Sequence, residues 1–169
     1  MNPELSFVAI DFETATGYPS SACAVGIITV EQGIITESWH ALIQPPDNTF
    51  WRDNVRVHGI NPYDTLYEPD FFEIYPDIKS RLYGKTIVAH NESFDRRVLS
   101  HSMQFYGLQY ADLNIPDKWE CTLRIYRQKG FRPAGLKACC YQLGIELNHH
   151  NAMSDALACA KLYLRAGEL

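Results

Sequence analysis

Two acidic residues, Asp11 and Glu13, stand at the end of a segment that otherwise has the composition of a buried β-strand. Five of the six residues from Phe7 to Phe12 are apolar, which is typical of a strand covered on both faces. Because side chains alternate along a strand, the two carboxylates point to the same side. Burying unpaired charges is costly, so these carboxylates must reach solvent, pair with an arginine or bind a cation.

Three further residues could complete a metal-dependent site. Asp95 and Asp155 fall in the first turns of two predicted helices, where each could instead complement the helix dipole, an effect of ~0.3–1 kcal/mol. With the two strand carboxylates they would form an oxygen-rich cluster suited to Mg²⁺ or Mn²⁺ rather than zinc. His150, in the loop before Asp155, could accept a proton from a metal-held water. A loop histidine is more often a solvated bystander, and the adjacent His149 is the alternative in this role.

The order and spacing of these residues resemble the DEDD 3′–5′ exonucleases, the DnaQ-like superfamily, in the subgroup with a histidine in its last motif. Segments at 57–60 (V-H-G-I) and 135–145 also resemble family segments, so the resemblance covers nearly the whole chain. The three motifs that carry it are D-x-E-T at residues 11–14, H-N-x-x-F-D at residues 90–95 and H-x-x-x-x-D at residues 150–155.

The resemblance implies a fold, an activity and a set of roles. The implied fold is α/β, an RNase H-like mixed β-sheet of about five strands flanked by α-helices. The implied activity is hydrolysis of the 3′-terminal phosphodiester of DNA to nucleoside 5′-monophosphates, with two divalent ions, Mg²⁺ or Mn²⁺, ~3.5–4 Å apart. The implied catalytic residues are the metal ligands Asp11, Glu13, Asp95 and Asp155, with Asp11 bridging both ions, and the general base His150. The implied substrate contacts are Thr14, His58, Ile60, Asn91 and Phe94, with core packing as an equal alternative for Phe94.

The predicted elements form one mixed sheet covered by helices, since a strand hairpin is followed by alternating helices and strands. For the helix predicted at Ser93–Tyr106, the expected apolar face consists of Phe94, Val98, Leu99, Ser102 and Phe105. Strands are expected at Phe7–Thr14, Ala22–Val30, Ile34–Ile43, Thr86–Ala89 and Trp119–Thr122. Helices are expected at Asp70–Leu82, Ser93–Tyr106, Thr122–Gln128, Gly135–Leu143 and Ala152–Arg165, and Thr49–Pro69 is expected to be irregular.

Composition limits the classes of protein and of partner. The length of 169 residues predicts a single domain over residues 1–169, which the resemblance implies is an exonuclease domain. A net charge of −5 argues against a broad basic face for nucleic acid but permits a small site for its 3′ ends. The five cysteines include no C-x-x-C pair, which favours reduced thiols. No apolar run suits a membrane span and no signal peptide is visible, so a cytoplasmic protein without a membrane partner is expected.

Three alternatives to a DNA exonuclease remain at this level. A 3′–5′ exoribonuclease, like oligoribonuclease or RNase T, shares the motifs, so RNA is the alternative substrate to single-stranded DNA. A proofreading subunit would have a DNA polymerase subunit as a partner, and the short stretch after the predicted final helix lowers this expectation. A nucleic-acid-binding module without catalysis is the third, and the full set of five catalytic-type residues argues against it.

Overall fold

The computed structural model describes residues 5–168 and contains one mixed sheet of five strands. Residues 1–4 and residue 169 lie outside the described residues. The expectation that no signal peptide is present concerns the start of the chain and therefore lies partly outside them. The spatial order is β3-β2-β1-β4-β5; the first three strands pair antiparallel, and β1, β4 and β5 pair parallel. The predicted mixed sheet is therefore confirmed. The strands are β1 (Phe7–Thr14), β2 (Ala22–Glu31), β3 (Ile34–Leu42), β4 (Ile87–Ala89) and β5 (Glu120–Cys121).

Each predicted strand and helix differs from the observed one by no more than one residue at either end. The prediction that Thr49–Pro69 is irregular is wrong, because this segment contains two short helices. The first of them buries no side chain and so shows no apolar period, and the second is four residues long and is held by a capping box of Asn61 and Asp64. The helices are α1 (Arg52–His58), α2 (Pro62–Thr65), α3 (Phe71–Leu82), α4 (Glu92–Phe105), α5 (Thr122–Gln128), α6 (Leu136–Leu143) and α7 (Ala152–Ala166), with 3₁₀ turns at Pro46–Asn48 and Tyr110–Leu113.

The two faces of the sheet are covered by different helices. Alternate β1 residues Val8, Ile10 and Phe12 pack into a core with α3 and α4, whereas Phe7 and Ala9 pack against α7. This alternation places Asp11 and Glu13 on the α7 side of β1. Within residues 5–168, no helix combines the length and apolar character that crossing a bilayer requires.

The apolar face predicted for α4 is partly wrong. Phe94 and Phe105 are 43% and 57% exposed, whereas Asp95, Val98 and Met103 are buried. The helix is therefore turned so that the carboxylate of Asp95, and not the ring of Phe94, points toward the sheet. Core packing of Phe94 is excluded by this exposure.

The start of α7 lies directly against β2 at Gly26, which pairs across the sheet with Asp11. A Cβ atom built on Gly26 would lie 2.3 Å from the carbonyl oxygen of Ala152. Only glycine leaves room for this contact between two backbones. The contact fixes the first turn of α7, which carries Asp155, beside the strand that carries Asp11.

Replacing Gly26 by alanine is expected to destabilise the protein and to lower its activity together. Forcing a methyl group against the backbone of Ala152 costs about 1–3 kcal/mol, which corresponds to a melting temperature lower by roughly 2–12 °C in a protein of this size. Thermal unfolding followed by circular dichroism would measure this change. Gly167→Ala is the matched control, because Gly167 has a helical backbone with φ −79° and no atom lies within 4 Å of its Cβ position. An unchanged melting temperature for the Gly26 variant would contradict the close approach.

Candidate active site

Four carboxylates from three elements converge at one end of the sheet. Asp11 and Glu13 belong to β1, Asp95 to the first turn of α4 and Asp155 to the first turn of α7. Carboxylate oxygens of Asp11, Glu13 and Asp155 all lie within 4.8 Å of one another. Asp95 is fixed differently, because its Oδ1 accepts a hydrogen bond of 2.8 Å from the backbone N–H of Phe12. The residues predicted as metal ligands are thus brought together.

Burial and mutual repulsion make the ionised form of these carboxyl groups unfavourable. Burial, followed by repulsion from Asp95, Asp155 and Glu13, raises the pKa of Asp11 well above its usual value. Burial and the neighbouring carboxylates raise the pKa of Glu13 to about 8. Burial also raises the pKa of Asp95 to about 8, although its bond from Phe12 opposes the change. Four acidic groups in one place therefore favour either bound protons or a bound cation.

The donor set fits a divalent metal ion. Oδ2 of Asp11 is buried and has no hydrogen-bond partner, although most buried polar atoms have one. Glu13 and Asp155 offer further oxygens within the same small volume. Oxygen ligands of this kind suit hard cations such as Mg²⁺ and Mn²⁺.

Both histidines of the loop before α7 lie at the cluster, in different arrangements. Nδ1 of His149 lies 3.0 Å from Oδ2 of Asp155, and the backbone N–H of His150 donates to the same oxygen at 3.1 Å. The two rings stack with centroids 3.8 Å apart, and His150 has a left-handed backbone with φ 66°. The ring of His149 is therefore engaged with Asp155, whereas the ring of His150 makes no hydrogen bond among the described residues.

The cluster opens into a cavity of about 410 Å³. Helix α1 forms one of its walls through Asp53, Asn54 and Val57, and the sequence did not indicate Asp53 or Asn54. The only sign of this wall was the adjoining V-H-G-I segment. Of the predicted residues, those lining the cavity are Asp11, Glu13, Thr14, His58, Phe94, His150 and Asp155.

Two predicted substrate contacts near α1, Thr14 and His58, form hydrogen bonds with other residues of this chain. Nε2 of His58 lies 3.0 Å from the carbonyl oxygen of Thr14, and Nδ1 accepts from the N–H of Ile60 at 3.0 Å. Asn54 also donates to the carbonyl oxygen of Thr14 at 3.0 Å. Both ring nitrogens of His58 are thus occupied, so this side chain can offer a substrate only its ring surface. Ile60 does not line the cavity.

The remaining predicted substrate contacts are Phe94 and Asn91. Phe94 has its half-exposed ring in the cavity wall. Asn91 lies outside the cavity and lines a neighbouring cleft instead. His90 lines both spaces, and its Nδ1 lies 2.9 Å from Oγ1 of Thr122. Burial and the nearby His149 lower the pKa of His90 to about 4, so this ring is neutral near pH 7.

Without metal, the protein is expected to lose stability as the pH rises from about 5 to about 8. A carboxyl group whose pKa is raised on folding stabilises the fold while it is protonated, and this stabilisation is lost as the pH rises through the raised value. For Glu13 and Asp95 that value is about 8. Melting temperatures measured in EDTA at several pH values should therefore fall across this interval.

The Glu13→Gln variant serves as the control, because it removes one titrating group of the cluster. Its melting temperature in EDTA should decrease less between pH 5 and 8 than that of the unsubstituted protein. Addition of Mn²⁺ should raise the melting temperature of the unsubstituted protein, most strongly at the alkaline end. A melting temperature that rises steadily to pH 8 in EDTA would contradict the crowding of these carboxylates.

A sequence profile of the family described as Exonuclease (RNase_T) matches residues 8–163. A PolC-type DNA polymerase III from Thermotoga petrophila is 27% identical over 168 residues, which cover 97% of this chain and 12% of that protein. The epsilon subunit of DNA polymerase III from Aquifex aeolicus is 26% identical over 168 residues, which cover 95% of this chain and 79% of the subunit. The chain thus spans about an eighth of the PolC-type relative.

Solved structures of exonucleases share the fold. Exonuclease X in complex with 5′-overhanging duplex DNA superposes with a TM-score of 0.74 at 24% identity, over 95% of this chain and 90% of that one. Exonuclease I superposes with a TM-score of 0.82 at 19% identity, over 96% of this chain and 41% of that one. The prediction of an RNase H-like fold is confirmed by these likenesses.

Proposed function

This chain belongs to the Exonuclease (RNase_T) family, and on that premise we propose that it is a metal-dependent 3′–5′ exonuclease acting on DNA. The observation that carries the proposal is the cluster of Asp11, Glu13 and Asp155 at the base of an open cavity, with a buried oxygen of Asp11 left without a partner. This arrangement is costly for folding alone and is accounted for by a bound cation.

We propose that Asp11, Glu13, Asp95 and Asp155 together hold two divalent ions, Mg²⁺ or Mn²⁺. Such ions polarise a phosphoryl oxygen and lower the pKa of a bound water. Asp95 is kept in place by the N–H of Phe12, and Asp155 by the loop before α7. The chain thus holds these ligands before any metal binds, which reduces the cost of ordering them.

His150 is the proposed general base. Burial and the adjacent His149 lower its pKa, so its ring is neutral near pH 7 and can accept a proton. His149 has a different proposed role, because its Nδ1 is engaged with Asp155. It orients that carboxylate, as partners behind metal ligands commonly do.

The proposed substrate is a single-stranded 3′ end whose last nucleotide enters the cavity. The exposed ring of Phe94 offers a surface on which a base can stack, an interaction of about 1–3 kcal/mol per base. Thr14 and His58 line the same cavity.

The test is incubation of the protein with a 5′-labelled single-stranded DNA and with the matching RNA, each in Mg²⁺, in Mn²⁺ and in EDTA. The expected result is a ladder of products that shortens from the 3′ end of the DNA in either metal and does not form in EDTA. Faster shortening of the RNA would replace DNA by RNA as the substrate. Intact DNA and RNA under both metals would overturn the proposal.

The polymerase names of the relatives favour a narrower, second proposal, which is proofreading in association with a DNA polymerase. Gel filtration of this protein with a candidate polymerase subunit at micromolar concentration should then show co-elution. Separate elution, together with equal rates on paired and mispaired 3′ ends, would contradict this role while leaving the exonuclease itself in place.

A further inference from the structure

One segment next to the cavity carries several basic residues and no acidic residue. Residues 121–145 carry five of the 15 lysines and arginines and none of the 20 aspartates and glutamates. The segment comprises β5's last residue, α5, α6 and the connection between them. All of these basic side chains are exposed: Arg124, Arg127, Lys129, Arg132 and Lys137. A protein with a net charge of −5 thus presents a locally basic surface in this segment.

This surface borders a cleft of about 660 Å³, here termed the basic cleft, lined in part by Arg127, Phe131 and Arg132. The basic cleft shares His90, Leu136 and His149 with the cavity of the active site, so the two spaces adjoin. No aspartate or glutamate is among its lining residues. The acidic cavity is therefore continued by a space of the opposite charge.

The arginines of the basic cleft are available to an anion. Among residues 5–168, Arg127 and Arg132 form no ion pair, whereas Arg124 pairs with Glu92 at 3.1 Å. Nη1 of Arg132 donates to the carbonyl oxygens of Arg127 and Phe131, both at 2.8 Å. These bonds hold the guanidinium in position and leave its other N–H groups free for a phosphate.

We propose that the basic cleft binds the phosphodiester backbone of the strand whose 3′ end occupies the active-site cavity. The inference rests on the proposed exonuclease function and adds the path of the strand beyond the reacting nucleotide. Charge complementarity selects a polyanion, and the shared wall of His90, Leu136 and His149 makes the path continuous. The cleft reads no base sequence, because phosphate contacts position a strand without specifying it.

The test compares a long and a short substrate in the variants Arg127→Glu and Arg127→Glu/Arg132→Glu. For a 12-nucleotide single strand, kcat/KM should fall by at least about tenfold in the double variant, whereas for a dinucleotide it should change by less than about twofold. The slope of log KM against log salt should decrease by about 0.7 for each lost phosphate contact. The single variant keeps the side chain of Arg132 and its bonds to the carbonyl oxygens of residues 127 and 131. A loss of activity in this variant therefore does not result from breaking these bonds.

The double variant Lys79→Glu/Lys118→Glu is the matched control, since it changes the net charge equally outside the basic cleft. Fluorescence anisotropy with the labelled 12-nucleotide strand in Ca²⁺ measures binding without relying on cleavage. An unsubstituted protein that cleaves neither substrate would overturn the proposed function, while anisotropy would still decide the inference. Equal affinity in the arginine and lysine variants would overturn the inference and leave the basic cleft to another ligand, such as an acidic protein segment.

Discussion

Replacing Asp11 by asparagine is expected to reduce kcat by at least about a thousandfold, the largest loss of any single substitution in this protein. Asp11 is the group whose buried Oδ2 has no partner and whose pKa is raised by burial and by three neighbouring carboxylates. Asparagine keeps the shape but removes the charge and one of the two oxygens. Single-turnover cleavage of a 5′-labelled DNA strand in Mn²⁺ would measure the loss directly.

The same substitution should leave the protein folded. Removal of one of several mutually repelling charges is expected to keep or to raise the melting temperature in EDTA at pH 8. The melting temperature should also respond less to Mn²⁺ than that of the unsubstituted protein. A lost activity together with an intact fold separates a metal ligand from a residue needed for folding.

Asp53→Asn is the matched control, since Asp53 also lines the cavity but is exposed on α1 and pairs with Arg56. This exposed pair contributes little, so a change in kcat of less than about threefold is expected. If the Asp11 variant retained full activity, or if the Asp53 variant lost as much, the assignment of Asp11 to the metal site would be wrong.

The central part of the site could be predicted because its residues contradict their local context. Asp11 and Glu13 interrupt a strand that is otherwise apolar, and the two-residue period of a strand places them on one side. The strand and helix bounds also followed from local signals, such as apolar periods and the glycines that end α3 and α4. Such signals act over a few residues and are therefore legible in one sequence.

Contacts between distant parts of the chain could not be predicted in this way. The bond from the N–H of Phe12 to Asp95 joins residues 83 apart, and that from Asn54 to Thr14 joins residues 40 apart. Helix α1 forms a wall of the cavity, but it buries no side chain. Its sequence therefore contains no apolar period from which a helix could be predicted. Its position depends on tertiary hydrogen bonds that local propensity does not encode.

The orientation of α4 shows why a wrong face was predicted. The apolar pattern places Phe94 on the buried face of the helix, but its neighbour Asp95 is the residue turned inward. Successive helical residues differ by about 100° in direction, so burying one moves the other to the rim. The carboxylate takes the inward position because it accepts a bond from β1, and the ring of Phe94 is left in the cavity wall.

Replacing His150 by alanine is expected to lower kcat by about 10²–10⁴-fold, the usual contribution of a general base. His150 lines the cavity, and its ring makes no hydrogen bond within residues 5–168, so it is free to accept a proton. The affinity for Mn²⁺, read from the shift in melting temperature, should stay close to that of the unsubstituted protein, because the backbone N–H that contacts Asp155 is retained. Single-turnover rates in saturating metal would isolate the chemical step.

The companion variant His149→Ala distinguishes the two histidines, whose rings stack with centroids 3.8 Å apart. Because Nδ1 of His149 contacts Asp155, its loss should chiefly weaken metal binding, by roughly 10–100-fold, and saturating Mn²⁺ should restore most of the rate. A rate that Mn²⁺ restores in the His149 variant but not in the His150 variant identifies His150 as the base. The reverse pattern would assign the base to His149 and leave His150 as the residue that shapes the loop.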